Sequence, residues 1–199
     1  MKTDGKEIFT IGHSDHSEES FLNLLRKYEI SVVADVRSIP VSRFTQYAEK
    51  ELKRILKVAG IRYVFLGKEL GARRDEEDCY EGDKAKYSLI KDLPLFRRGI
   101  DRLLEGIREH RIAVMCAERH PKDCHRAVLV CRELKEADSG IEIKHILYGG
   151  EILTHDEFEE SLRKLHGLNN NKNNLFDSNS AYAYERQSEK IAYTREAET

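Results

Sequence analysis

No apolar run in this chain approaches the roughly 20 residues that span a bilayer, and residues 1–6 are polar where a secretory signal carries its apolar core. The expectation is a cytoplasmic protein with no membrane partner. Cysteine is scarce. Cys79, Cys116, Cys124 and Cys131 are the four in 199 residues, too few to staple a chain of this length, and they read as reduced thiols. A dominant charge is lacking too: 34 basic and 36 acidic side chains leave a formal charge of −2, which removes any bulk attraction to nucleic acid or anionic membranes. Phosphate recognition must therefore be local. Gly12 lacks the companion glycines of a phosphate cradle, which argues against a dinucleotide or triphosphate site of the usual kind. Val130 stands six residues after Cys124, where a tyrosine-phosphatase loop requires arginine, and no serine-hydrolase elbow is present.

What is present alternates. Residues 7–12, 31–37, 61–66, 112–115 and 141–146 are short apolar runs that read as strands, and stripes at helical spacing separate them. Phe21, Leu24, Leu25 and Tyr28 form one stripe behind a cap at Ser17. Leu52, Ile55, Leu56 and Ala59 form a second, closed by Gly60, and Phe96, Ile100, Leu103, Leu104 and Ile107 form a third. Thr154 caps a further helix bearing Phe158, Leu162 and Leu165. Residues 71–91 combine glycines with four consecutive acids and read as a poorly ordered lid or binding loop. One α/β domain over 1–167 is expected, then an asparagine-rich linker over 168–180 and a helical tail over 181–199.

Five strands alternating with helices imply a three-layer, Rossmann-like open sheet, mostly parallel, with helices on both faces. The expected strand order is 3-2-1-4-5, with a ligand site beyond the carboxyl ends where the winding reverses. The polar residues converge on that rim. His13 and Ser14 follow the first strand, Asp35 and Arg37 end the second, and Cys116 and Glu118 end the fourth. Asp123, Cys124, His125 and Arg126 then fall in what reads as the first turn of the next helix, where the dipole and neighbouring cations favour a thiolate or a bound anion.

These residue types support an enzyme acting on a small anionic or nucleotide-like ligand. Cys124 or Cys116 is the nucleophile or redox thiol, with His13, Asp35, Glu118 and His125 for proton transfer. Arg37, Arg43 and Arg126 form an anion clamp, assisted by Ser14, Ser42 and Tyr47. Bland readings stand beside these: Cys116 as a small buried hydrophobe, and the arginines as ion-pair partners of Asp35, Glu118 and Asp123. A nucleic-acid module and a non-catalytic ligand or partner sensor are the alternatives. No cofactor is called for. A metal held by Cys116, Cys124 and His125 is the lesser reading, because the spacing is not a paired-cysteine pattern and adjacent residues seldom aim at one ion.

The motifs Thr10-Ile-Gly-His-Ser14, Asp35-Val-Arg37, Pro40-x-Ser-Arg43, Gly60-Ile-x-Tyr63, Leu70-Gly71, Met115-Cys-Ala-Glu118, Cys124-His-Arg126 and His145-Ile146 occur in one order over residues 8–150. In this the chain resembles the domain-of-unknown-function family 488, and Tyr184 to Tyr193 resembles the end of longer members. The resemblance implies no assigned activity, so function has to come from the site's chemistry.

Overall fold

The architecture comes from a computed structural model that describes residues 6–168 and 176–195. In chain order the strands are β1 (Glu7–Gly12), β2 (Val32–Asp35), β3 (Arg62–Phe65), β4 (Tyr80–Glu81), β5 (Lys84–Ala85), β6 (Ile112–Cys116), β7 (Glu142–Ile146) and β8 (Ile152–Thr154). Between them lie α1 (Glu18–Lys27), α2 (Glu49–Val58), α3 (Gly67–Leu70), α4 (Tyr87–Ile90), α5 (Pro94–Gly106) and α6 (Arg132–Ala137), with α7 (His155–Leu165) and α8 (Phe176–Ile191) following β8. The expected α/β class and mostly parallel sheet hold. The main sheet has six strands in the order β3-β2-β6-β1-β7-β8, all parallel except the last.

Two corrections follow. The strand of residues 112–116 lies between β1 and β2, and does not flank β1 on the far side as the order 3-2-1-4-5 required. Every residue of β6 is buried, as a central strand demands. The strand of residues 141–146 is not an edge either, because β8 pairs antiparallel along it with His145 opposite Leu153.

Alternation within the strands builds two apolar layers. Phe9, Ile11, Val33, Ala113 and Met115 face α1 and α2, whereas Ile8, Val32, Ala34, Val114 and Cys116 face the layer containing α5 and the segment after β6. Local chemistry starts and stops these helices. Ser17 Oγ accepts the Ser20 N–H at 3.1 Å ahead of α1, and Thr154 and Glu157 form a reciprocal capping box on α7. Helices after β1 and β2 cover one face and helices after β3 and β6 the other. The chain therefore opens a crevice beyond the carboxyl ends of the adjacent pair β2 and β6.

Residues 71–91 are a folded segment rather than a loose excursion. They hold the β4–β5 hairpin and α4, and Cys79, Ala85, Tyr87 and Ile90 join the core. The helical tail starts at Phe176, five residues earlier than its periodicity indicated, while residues 169–175 of the proposed linker and 196–199 of the tail lie outside the described residues. Helix α8 packs against α7 and Gln187 Nε2 donates to Lys122 O at 2.7 Å. The chain leaving α8 lies along the hairpin, where Ala85 N–H donates to Tyr193 O at 2.9 Å and Arg195 N–H to Asp83 O at 2.8 Å.

Candidate functional site

The β6 strand ends at Cys116, opposite Gly12 of β1. The chain leaving β6 crosses so closely over β1 that a Cβ on Gly12 would stand 1.9 Å from Glu118 O, so only glycine fits. That crossing fixes Ala117 and Glu118, whose successors turn through a 3-10 segment at Pro121–Asp123.

Cys124 corrects the sequence reading. It is extended (φ −137°, ψ 135°) and lies outside any helix, while His125 is helical (φ −59°, ψ −26°) and a π-helix covers Arg126–Cys131. Successive side chains diverge in a regular helix or strand, but across this extended-to-helical junction Cys124 and His125 point the same way. Single π-turns of this kind recur at functional sites.

The result is a compact group of four donors. One ligand-type atom from each of Cys116, Glu118, Cys124 and His125 lies within 4.8 Å of every other. His125 Nε2–H donates to Val36 O at 3.0 Å, and Nδ1, an acceptor whenever the ring is neutral, lies 3.7 Å from Cys116 Sγ. Cys124 Sγ and Glu118 Oε2 stand 2.9 Å apart, within hydrogen-bonding distance. Cys124 Sγ also accepts the Arg126 N–H at 3.4 Å.

Charge explains the pattern. Arg126 is fully buried, donates from Nη1 to Glu118 O at 2.7 Å and from Nη2 to Arg119 O at 3.3 Å, and has no carboxylate ion-pair partner among the described residues. A buried cation of this kind requires an anion nearby. Burial alone would raise the Cys124 thiol, but a hydrogen bond from Cys116 and the charges of Arg126 and His125 outweigh it and hold it well below the usual thiol range. Burial and the Cys124 charge push Cys116 and Glu118 up. Burial lowers His125, and the hydrogen bond and charge of Cys124 more than reverse this. Cys131, deeper in the apolar layer, is raised by burial.

Cys116, Glu118 and His125 line a cavity of about 320 Å³ whose other walls include Arg37, Arg73 and Tyr193. A neighbouring cavity of about 300 Å³, between α4 and α8, contains neither thiol nor imidazole. Arg73 is exposed, stacks its guanidinium 4.6 Å above the Tyr193 ring and makes no ion pair among the described residues.

Arg37 is held on the cavity wall by an ion pair, and the remaining candidates lie apart from the cavity. Asp35 is fully buried and holds Arg37 in a two-pronged pair (2.6 and 2.9 Å), and Tyr63 Oη donates to the same carboxylate at 2.9 Å. Arg37 also donates from Nη1 to Tyr47 O at 2.9 Å and to His13 Nε2 at 3.3 Å. His13 stacks on Tyr47 with ring centres 4.1 Å apart, and burial lowers it to about 4, so it is neutral. Arg37 therefore braces the loops. Ser14, held at φ 47°, accepts from Arg119 at 3.3 Å. Ser42 Oγ accepts the Phe44 N–H at 3.1 Å, and exposed Arg43 stacks on Phe44. Arg73, Tyr87 and Tyr193 were not among the expected site residues, because only the tertiary fold carries them to the cleft.

The family model of the domain of unknown function DUF488 matches residues 17–132, more than half of the chain. The chain belongs to the DUF488 family. Comparisons with curated proteins and with solved structures find no match. All four residues of the donor group lie within the DUF488 stretch, whereas β1, His13, Ser14 and the α8 wall of the cavity lie outside it.

Proposed function

We propose that this chain is an enzyme that takes a small anionic or nucleotide-like ligand into the cleft beyond β2 and β6, with Cys116, Glu118, Cys124 and His125 as its chemical centre. The observation that carries the reading is a pair of buried thiols and a buried imidazole beside the exposed Glu118 carboxyl, on a cavity whose wall carries Arg73, an arginine with no ion pair among the described residues. Arg73 supplies the anion contact, and the buried charge of Arg126 sets the electrostatics of the thiols behind it. A cavity of about 320 Å³ sits at the low end of ligand sites, which favours a mononucleotide or smaller phosphorylated or carboxylated molecule over a dinucleotide. Buried free thiols suit a reducing compartment, hence the cytoplasm. No described helix is long and apolar enough to cross a membrane.

Thermal shift of the full chain with AMP and with inorganic phosphate tests the reading. A rise in Tm that disappears in Arg73→Ala is expected. Equal shifts in both proteins, or none in either, would remove the anion site. Nucleic acid is the weaker partner because the formal charge is −2 and exposed Arg43 stands apart from the cavity. Turnover of a bound ligand separates an enzyme from a sensor.

A further inference from the structure

We propose that Cys116, Cys124, His125 and Glu118 are the ligands of one thiophilic divalent metal ion, zinc being the best match. Two sulfurs, one imidazole nitrogen and one carboxylate oxygen form the donor set, and their atoms already lie within 4.8 Å of one another. Bond lengths of about 2.0–2.3 Å place the ligand atoms of a tetrahedral site about 3.3–3.8 Å apart, and the 3.7 Å between Cys116 Sγ and His125 Nδ1 falls in that range. A bound ion would widen the 2.9 Å between Cys124 Sγ and Glu118 Oε2 and draw in the longer separations, each a change of about 1 Å or less.

Three independent features support a metal. The first is orientation: His125 Nε2–H is tied to Val36 O, so that loss of the other ring proton leaves the Nδ1 lone pair facing the sulfurs, the arrangement by which backbone carbonyls orient metal-bound histidines. The second is the junction at Cys124, where an extended residue followed by a helical one lets neighbours in sequence aim at a single point. The third is charge. Two thiolates, one carboxylate and a divalent cation leave a single negative charge, and buried Arg126, which has no ion-paired carboxylate of its own among the described residues, cancels it. Soft sulfur with imidazole in a four-donor set selects zinc over magnesium or calcium. Glu118 belongs to an exposed residue on the cleft wall, so it is the ligand on the side from which an incoming molecule would approach.

The inference rests on the donor group being the functional centre, and its test is separate from ligand binding in the cleft. Full-length reduced protein is stripped with a chelator and titrated with zinc and with cobalt(II). One equivalent should bind, with thiolate-to-cobalt charge-transfer and tetrahedral d–d absorption. Cys124→Ser should weaken binding at least about 100-fold, whereas Cys79→Ser and Cys131→Ser should bind like the wild type. X-ray absorption of zinc-loaded wild type needs no variant and should report two sulfur ligands at about 2.3 Å. No tight binding, a shell of nitrogen and oxygen alone, or unchanged affinity in a folded Cys124→Ser protein would overturn the proposal. If AMP or phosphate binding still depends on Arg73 while no metal binds, only the metal inference fails. If sulfur-ligated zinc binds and Arg73→Ala changes nothing, the metal stands and the anion-binding reading fails.

Discussion

At the scale of single residues, two positions set the geometry on which the cleft depends. Gly12 lets the strand that ends in Cys116 lie against β1 while the following chain crosses over it. Gly12→Ala would press a methyl group into the Glu118 carbonyl, so it should lower stability by about 3 kcal/mol, read as a fall in urea midpoint; an unchanged midpoint would show that the crossing yields easily. Asp35 is the only carboxylate paired with buried Arg37 among the described residues. Asp35→Asn leaves that cation uncompensated and should cost about 3–5 kcal/mol, whereas Tyr63→Phe removes one hydrogen bond to the same carboxylate and should cost about 1 kcal/mol. Equal losses for the two would mean that the hydroxyl, not the ion pair, carries the site's order. Asp35 and Arg37 were legible as a pair because charges at the end of so apolar a run need partners. Arg126 was not legible as a buried residue bonded to carbonyls, because nothing local distinguishes it from an anion-binding arginine.

At the scale of elements, periodicity located strands and helices and could not order them. β1, β2 and β6 are all short, largely apolar runs, so the central place of β6 follows from how three layers pack more than from any feature of residues 112–116. The junction at Cys124 was hidden for a related reason: Pro121 and Asp123 are good helix-start signals, yet they start a 3-10 turn, and the π-helix begins only at Arg126. Element packing also sets a pH dependence. Thr10 Oγ1 donates to His145 Nδ1 at 2.9 Å, and His145 Nε2 meets His155 Nδ1 at 3.2 Å. His155 Nε2 meets Tyr184 Oη at 3.1 Å, and Tyr184 donates to Glu159 at 3.1 Å. This chain joins β1, β7, α7 and α8, and each imidazole in it is satisfied only when neutral. Burial, then the charge of Lys135, lowers His155 to about 4, and burial lowers His145 well below its ordinary value. Both folded values lie below the unfolded value near 6.5, so protonation favours the unfolded chain. Stability is full above about pH 6.5 and falls as the pH drops toward 4, by up to about 3 kcal/mol for His155 alone. Denaturant midpoints across that window should decline, and His155→Gln should flatten part of the slope. A slope unaffected by that variant would place the titration elsewhere, at His13 for instance.

At the scale of the whole molecule, the cleft is assembled from parts far apart in sequence. Strand ends supply its floor, the segment after α3 supplies Arg73, and the end of α8 and the chain leaving it supply Ile191 and Tyr193. Sequence reasoning found the floor, because reactive side chains at the carboxyl ends of strands announce themselves by type and position. It gave the tail no place in the cleft, since a short tyrosine-bearing helix carries no mark of its docking site. In the fold, Tyr193 closes one side of the cavity, pinned by Ala85 N–H on its carbonyl and by Arg73 across its ring. Tyr193→Ala keeps the backbone bond and removes the ring. It should therefore widen access to Cys116 with a change in Tm of no more than about 2 °C, because a half-buried side chain at the edge of the fold contributes little to global stability. Alkylation of the metal-free protein, followed by peptide mass analysis, should show Cys116 modified several times faster in Tyr193→Ala than in the wild type, with Cys131 unreactive in both. Identical rates at Cys116 would mean that the route to the thiols does not pass the tail, and that the α8 extension stabilises the domain without governing entry to its cleft.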